Sequence, residues 1–174
     1  MIFNWTILAN IISFITALTA IIALILETRR SRISQQTEVL LSLTDKMNSP
    51  EIRLLRSISA KKLLTHDEQN YEIIEVLDFL DTVAYLLNIK AVNKTLVYRE
   101  FSWWLIRYYL CAYSVIEEDR KLDPLSWTTL EKIALQMKRK EEGDGYSPEL
   151  YSAFALQEFL KKEAKIYKIK KQNS

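Results

Sequence analysis

Very few side chains in this chain have the type and spacing that catalysis or metal binding needs. His66 is the only histidine and Cys111 the only cysteine. A single histidine beside a helix terminus is more typical of a surface residue than of a general base or a metal ligand. Cys111 lies in an apolar run without a second ligand at metal-binding spacing, which indicates a small core residue. We therefore expect no enzyme activity, no cofactor and no metal.

Arg107 is the charged residue most in need of a partner. It lies within the run Leu96–Ile116, whose large side chains point to all sides and which predicts either the centre of a helical bundle or a second span. The bundle is favoured, because an arginine at mid-bilayer is costly. A buried guanidinium needs a carboxylate, and Asp78 or Asp81 would supply it if their helix packs antiparallel. The alternative is that Arg107 reaches water along its own stem.

The acids near Asp78 have an ordinary interpretation as well. Glu75 and Asp78 lie on one side of a helix whose other side is apolar, which is typical of a solvated face. Such a pair could hold a metal in a helical bundle only with Glu-x-x-His partners, and the sequence has none.

The longest apolar element is Trp5–Leu26, twenty-two residues without charge, proline or glycine. As a helix it would be about 33 Å long, enough to cross about 30 Å of hydrocarbon. The flank before it has no basic residue, whereas Arg29, Arg30 and Arg32 follow it. This asymmetry predicts a single-pass protein of the inner (plasma) membrane with its N-terminus outside and its C-terminus in the cytoplasm.

One side of this segment carries small side chains at helical spacing, as in closely packed transmembrane helix pairs. Asn10 adds an amide that would favour a hydrogen bond across such an interface. The sequence predicts a homo-oligomer held through this surface. Its residues are Ala9, Asn10, Ser13, Thr16, Ala17 and Ala20.

Composition predicts an all-α fold for the rest of the chain. Two glycines and three prolines in 174 residues are too few for the turns of a β-fold. We expect residues 1–27 to span the membrane, 28–48 to continue as a helical stalk and 49–142 to form a cytoplasmic bundle. A basic amphipathic helix should cover 146–171, making about five helices after the stalk.

Local signals predict where these helices begin. Ser49-Pro50 and Ser147-Pro148 each place a capping serine before a first-turn proline, and Asp123-Pro124 does the same with an aspartate. Thr65 with Glu68 has the spacing of a capping box. The third helix should bury Ile73, Val76, Leu77, Leu80, Val83, Ala84 and Leu87.

The last helices have their own predicted faces. The helix after Asp123 should bury Trp127, Leu130, Ile133, Ala134 and Met137. In the final helix the expected apolar stripe is Leu150, Phe154, Gln157, Leu160 and Ala164. Its distal half is basic, and Lys161, Lys162, Lys165 and Lys168 are candidates for contact with anionic lipid, although a solvated terminal helix explains them as well.

Charge is distributed unevenly along the chain. The net formal charge of +2 gives no strong indication of nucleic acid. Residues 28–66 carry a net charge of +5 and residues 67–90 one of −5. The two segments either attract one another or face different partners, one of which could be a protein in the cytoplasm.

The order of these parts resembles a family of uncharacterised bacterial single-pass membrane proteins, a domain of unknown function. The resemblance extends to about Leu135 and implies one span before a cytoplasmic helical domain, and the family offers no activity to carry over. It rests on the Trp5-led segment, Arg29-Arg30-Ser31-Arg32, Asn48-Ser49-Pro50-Glu51 with Arg53 and Arg56, Leu77-Asp78-Phe79-Leu80 and the aromatic-rich run ending near Arg120.

Two functions are consistent with these features. The first is a membrane-anchored, non-enzymatic interaction module that self-associates through its span. The second is an effector, for example of phage defence, that senses a signal or partner and perturbs the bilayer.

Overall fold

The computed structural model describes residues 5–66 and 70–167, with side chains from residue 18 onward, and this part of the chain is all α-helical without strands. The chain divides into two compact units, residues 1–38 and residues 39–174. The predicted fold class is confirmed in its all-α character. The elements are α1 (Trp5–Asn48), α2 (Pro50–Thr65), α3 (Tyr71–Asn88), α4 (Lys94–Cys111), α5 (Tyr113–Arg120), α6 (Thr128–Gly143), a 3-10 helix (Pro148–Tyr151) and α7 (Ala153–Glu163).

The predicted transmembrane helix is wrong. Across residues 5–66 and 70–167, no helix is long and apolar enough to cross a membrane. The predictions of a single-pass topology and of an inner-membrane location are wrong for the same reason.

The second unit begins within α1, which runs without a break to Asn48. Leu40 and Met47, seven residues apart on one face, are buried in the core of this unit. Ser49 then caps α2 as predicted, because its Oγ accepts a hydrogen bond of 3.2 Å from the backbone N–H of Ile52.

The core of the second unit is built around α3. All seven residues that the sequence placed on its apolar face are buried. Against them pack Val97, Phe101 and Leu105 from α4. The predicted helix Leu96–Ile116 is divided at Ala112, whose φ of −95° and ψ of 12° separate α4 from α5.

The helix starts after residue 120 differ from the predictions. The α6 helix begins at Thr128, because Asp123 binds the N–H of Leu125 in a turn instead of capping a helix. Four of the five predicted core positions of this helix are buried, and Trp127, which precedes it with φ 63°, is partly buried.

The C-terminal helix is shorter than predicted. Ser147-Pro148 opens a 3-10 helix, and α7 starts only at Ala153 with Ser152 as its cap. This changes the phase of the helix, so that Phe154 is exposed and Phe159 is buried. The α7 helix ends at Glu163, eight residues before the predicted end at residue 171.

Candidate functional site

The first unit exposes a continuous apolar surface on α1. Leu18, Ile21, Ile22 and Ile25 recur at the i, i+3, i+4, i+7 spacing that places side chains on one helix face, and they are 48–56% exposed. We call these four residues the aliphatic seam. Leu24 and Leu26 flank it and are exposed as well. Monomeric proteins rarely leave such a patch uncovered, so the seam is a candidate contact surface.

The residues predicted for self-association lie mostly outside the described side chains. This applies to Ala9, Asn10, Ser13, Thr16 and Ala17. Ala20 is described and exposed, and it lies on the side of α1 opposite the aliphatic seam, about 160° from Ile22. Arg29, Arg30 and Arg32 are exposed one turn beyond the seam.

The main buried charge of the second unit is Arg56, which the sequence did not single out. Its Nε and Nη2 donate to the two carboxylate oxygens of Glu163 at 2.7 and 2.8 Å. Both side chains are nearly inaccessible, at 5% and 7% exposure. The Tyr108 hydroxyl donates to the same carboxylate at 3.2 Å, and Arg56 Nη1 donates to the carbonyl of Met47 at 3.2 Å. This cluster attaches α7 to α2, α4 and the end of α1.

The structure does not bring Arg107 together with Asp78 or Asp81. Arg107 is buried, and its guanidinium carbon lies 3.5 Å from the ring centroid of Trp103 one turn earlier in α4. Burial lowers the pKa of Arg107, and the nearby charge of Glu141 opposes that shift. Stacking on an aromatic face therefore replaces the predicted ion pair, and the side chain does not reach water either.

The two aspartates on α3 have different surroundings. Asp81 Oδ1 accepts a hydrogen bond of 2.8 Å from the backbone N–H of Leu130, so it caps the start of α6 from a neighbouring helix. Asp78 is on the surface, and its pKa is raised first by desolvation and then by the charges of Glu75, Asp81 and Asp119. Only Asp81 therefore has a structural partner.

A cavity of about 190 Å³ contains both residues with potential chemistry, His66 and Cys111. Burial raises the pKa of the Cys111 thiol to about 12, so the thiol stays protonated at neutral pH. Lys62, at the same cavity, is paired with Glu72 at 2.5 Å. Within the described residues, no group of three or more His, Cys, Asp or Glu could hold a metal ion. The cavity thus lacks an activated nucleophile.

The basic end of α7 is solvated where it is described. Lys161 pairs with Glu158 at 2.8 Å, and Lys162 and Lys165 are exposed. Lys168 lies outside the described residues. The proposed contact of these lysines with lipid stays a prediction.

Comparison with models of protein families, with curated proteins and with solved structures finds no match for this chain. The resemblance to a family of bacterial single-pass proteins therefore stays a prediction as well. Any function has to be inferred from the surfaces of the chain itself.

Proposed function

We propose that this protein is a non-enzymatic helical interaction module that self-associates through the aliphatic seam of α1. The observation that carries the proposal is the exposure of Leu18, Ile21, Ile22 and Ile25 on one helix face. The spacing is that of a coiled-coil seam, in which a second helix with the same face supplies the cover.

The energy available is enough to support association. Burying a large aliphatic side chain contributes about 1.5–3 kcal/mol, and about half of each seam side chain remains to be buried. Four such residues on each of two copies, with flanking Leu24 and Leu26, would contribute about 10 kcal/mol. This is comparable to the 4–15 kcal/mol cost of association, so the seam favours a reversible oligomer.

The chemistry of the described residues supports a binding role over catalysis. Cys111 is protonated, and the cavity beside it lacks an activated nucleophile. The alternative of an effector that perturbs the bilayer depended on the predicted span and loses its basis with it.

The test is the mass of the full-length chain by sedimentation velocity in a mild non-ionic detergent, which limits unspecific aggregation of exposed aliphatic residues. The wild type should be oligomeric, and Ile22→Glu with Ile25→Glu should be monomeric. Ala20→Glu is the matched control, since it adds a charge on the opposite side of the same helix.

Two results of this experiment would contradict the proposed interface. A monomeric wild type at roughly 100 μM would refute self-association. If Ala20→Glu dissociates the oligomer and the seam variant does not, the small-residue face and not the aliphatic seam is the interface.

A further inference from the structure

The second unit has an open groove between the start of α3 and α5. Its apolar floor is formed by Ile74 and Val115, and Leu122 stands at its edge. The groove has a volume of about 340 Å³ and adjoins the cavity beside Cys111, with which it shares Asn70, Val115 and Glu118. Leu122 is 88% exposed, and Leu125 three residues further on is 76% exposed. Among the described residues, none covers the side chain of Leu122 at this groove.

Two acidic side chains and one lysine, Lys121, line this groove beside the apolar floor. Glu118 and Asp119 line the groove, and Asp78 lies one turn along α3 from Ile74. Glu118 is neutralised by Lys121 at 2.7 Å. In the described part of the chain no lysine or arginine forms an ion pair with Glu75, Asp78 or Asp119.

Desolvation, and after it the charges of neighbouring acids, raise the pKa of Asp78. Glu75, Asp81 and Asp119 all disfavour the charged form of Asp78. A cation placed at the rim would relieve this repulsion, whereas an anion would add to it. An aliphatic floor beside Asp78 and Asp119, which lack a lysine or arginine partner among the described residues, is complementary to a helix that has leucine-like residues on one face and lysine or arginine beside them.

We infer that this groove binds a basic amphipathic helix of a partner protein. The α5 helix has eight residues and is about 12 Å long, so the contact covers about two turns of the bound helix. Aliphatic side chains at i and i+3 or i+4 of the partner would cover Ile74, Val115 and Leu122. Basic residues on either side would reach Asp78 and Asp119.

The probe is a labelled synthetic helix of leucine and lysine, with the leucines on one face, titrated with the full-length chain by fluorescence anisotropy. Glu75→Gln with Asp78→Asn should weaken binding about tenfold and reduce its salt dependence. Leu122→Ser should weaken it about fivefold, because it removes apolar contact area.

The matched control variants carry the same kinds of substitution at exposed sites outside the groove. Asp45→Asn with Glu51→Gln removes two exposed charges, and Phe154→Ser removes an exposed large side chain on α7. These variants should bind as the wild type does. A peptide of identical composition with scrambled order, whose leucines share no face, should bind at least tenfold more weakly.

Several results would overturn the inference. They are the absence of binding at roughly 100 μM, equal binding of the scrambled peptide, and equal weakening by the control variants. Sedimentation of the groove variants tests the other possible occupant, a second copy of this chain. A change in the mass of the assembled chain would assign the groove to a second copy instead of a different protein. Variants of the aliphatic seam leave the groove intact, so failure of self-association does not affect this test.

Discussion

Replacing Glu163 by glutamine should destabilise the second unit far more than a change at the surface. The substitution keeps the size of the side chain but removes the negative charge that both Nε and Nη2 of Arg56 contact, at 2.7 and 2.8 Å. Because the two side chains are only 5% and 7% exposed, water cannot replace the lost partner. The Tyr108 hydroxyl also loses a charged acceptor.

The magnitude follows from the burial of the pair. Removing one partner of a buried ion pair leaves an uncompensated charge and typically costs 3–5 kcal/mol. We expect a loss of about 3–4 kcal/mol in the free energy of unfolding, out of the 5–15 kcal/mol usual for a domain. The double variant Arg56→Met with Glu163→Leu should recover most of this loss, since it removes both charges and keeps the volume filled.

The assay is urea denaturation of the full-length chain, followed by tryptophan fluorescence. Trp104 is a suitable reporter, because the guanidinium carbon of Arg56 lies 4.9 Å from its ring centroid. Glu158→Gln is the matched control on the same helix, where the carboxylate pairs with Lys161 in solvent, and it should change stability little. Hydrogen exchange of the α7 amides should show whether this helix opens before the rest.

A loss below about 1 kcal/mol for Glu163→Gln, as is usual for exposed pairs, would refute this reasoning. So would a double variant as unstable as the single one, because the cost would then come from lost packing and not from an unpaired charge.

Three further outcomes are expected. Asp78→Asn should stabilise the chain at neutral pH, because the raised pKa of Asp78 means that its charged form is less favourable in the folded than in the unfolded state. Below about pH 4 the carboxyl is protonated in both states, so the gain in the free energy of unfolding should vanish there in denaturation curves. Ser49→Ala should lower the free energy of unfolding by about 1 kcal/mol, since the backbone N–H of Ile52 in α2 loses its acceptor. An unchanged free energy of unfolding would contradict a stabilising role for this cap. Cys111 should react with iodoacetamide at pH 8 roughly a thousandfold more slowly than a free thiol, because burial raises its pKa to about 12, and equal rates would show an open site.

Some signals that act within a few residues were predicted well, whereas Thr65 does not start α3 as predicted, since it is the last residue of α2 and α3 begins at Tyr71. Ser49 caps α2 as expected because its partner, the N–H of Ile52, is three residues away. Seven of the eight buried residues of α3 were predicted and only Phe79 was missed, since periodicity largely decides which side of a long amphipathic helix is buried.

Other predicted starts failed where contacts outside the local capping pattern hold the chain. Asp123 and Pro124 have the composition of a helix start, yet the carbonyl of Ser126 accepts a hydrogen bond from Arg120 Nε and the Trp127 indole donates to Asp119. These contacts hold residues 123–127 in turns and delay α6 to Thr128. The cap of α6 comes from Asp81, forty-nine residues away, which no local pattern indicates.

Sequence by itself thus determined the helical class, the core face of α3 and the first cap of the second unit, because backbone geometry and hydrophobic periodicity are local properties. Tertiary structure alone decided which charges are buried. A buried pair with an aspartate was one prediction for Arg107, but the fold places it on Trp103, whereas Arg56 pairs with Glu163 across 107 positions of the chain. The pairing of a buried charge depends on which helices come together, and packing of the whole unit decides that.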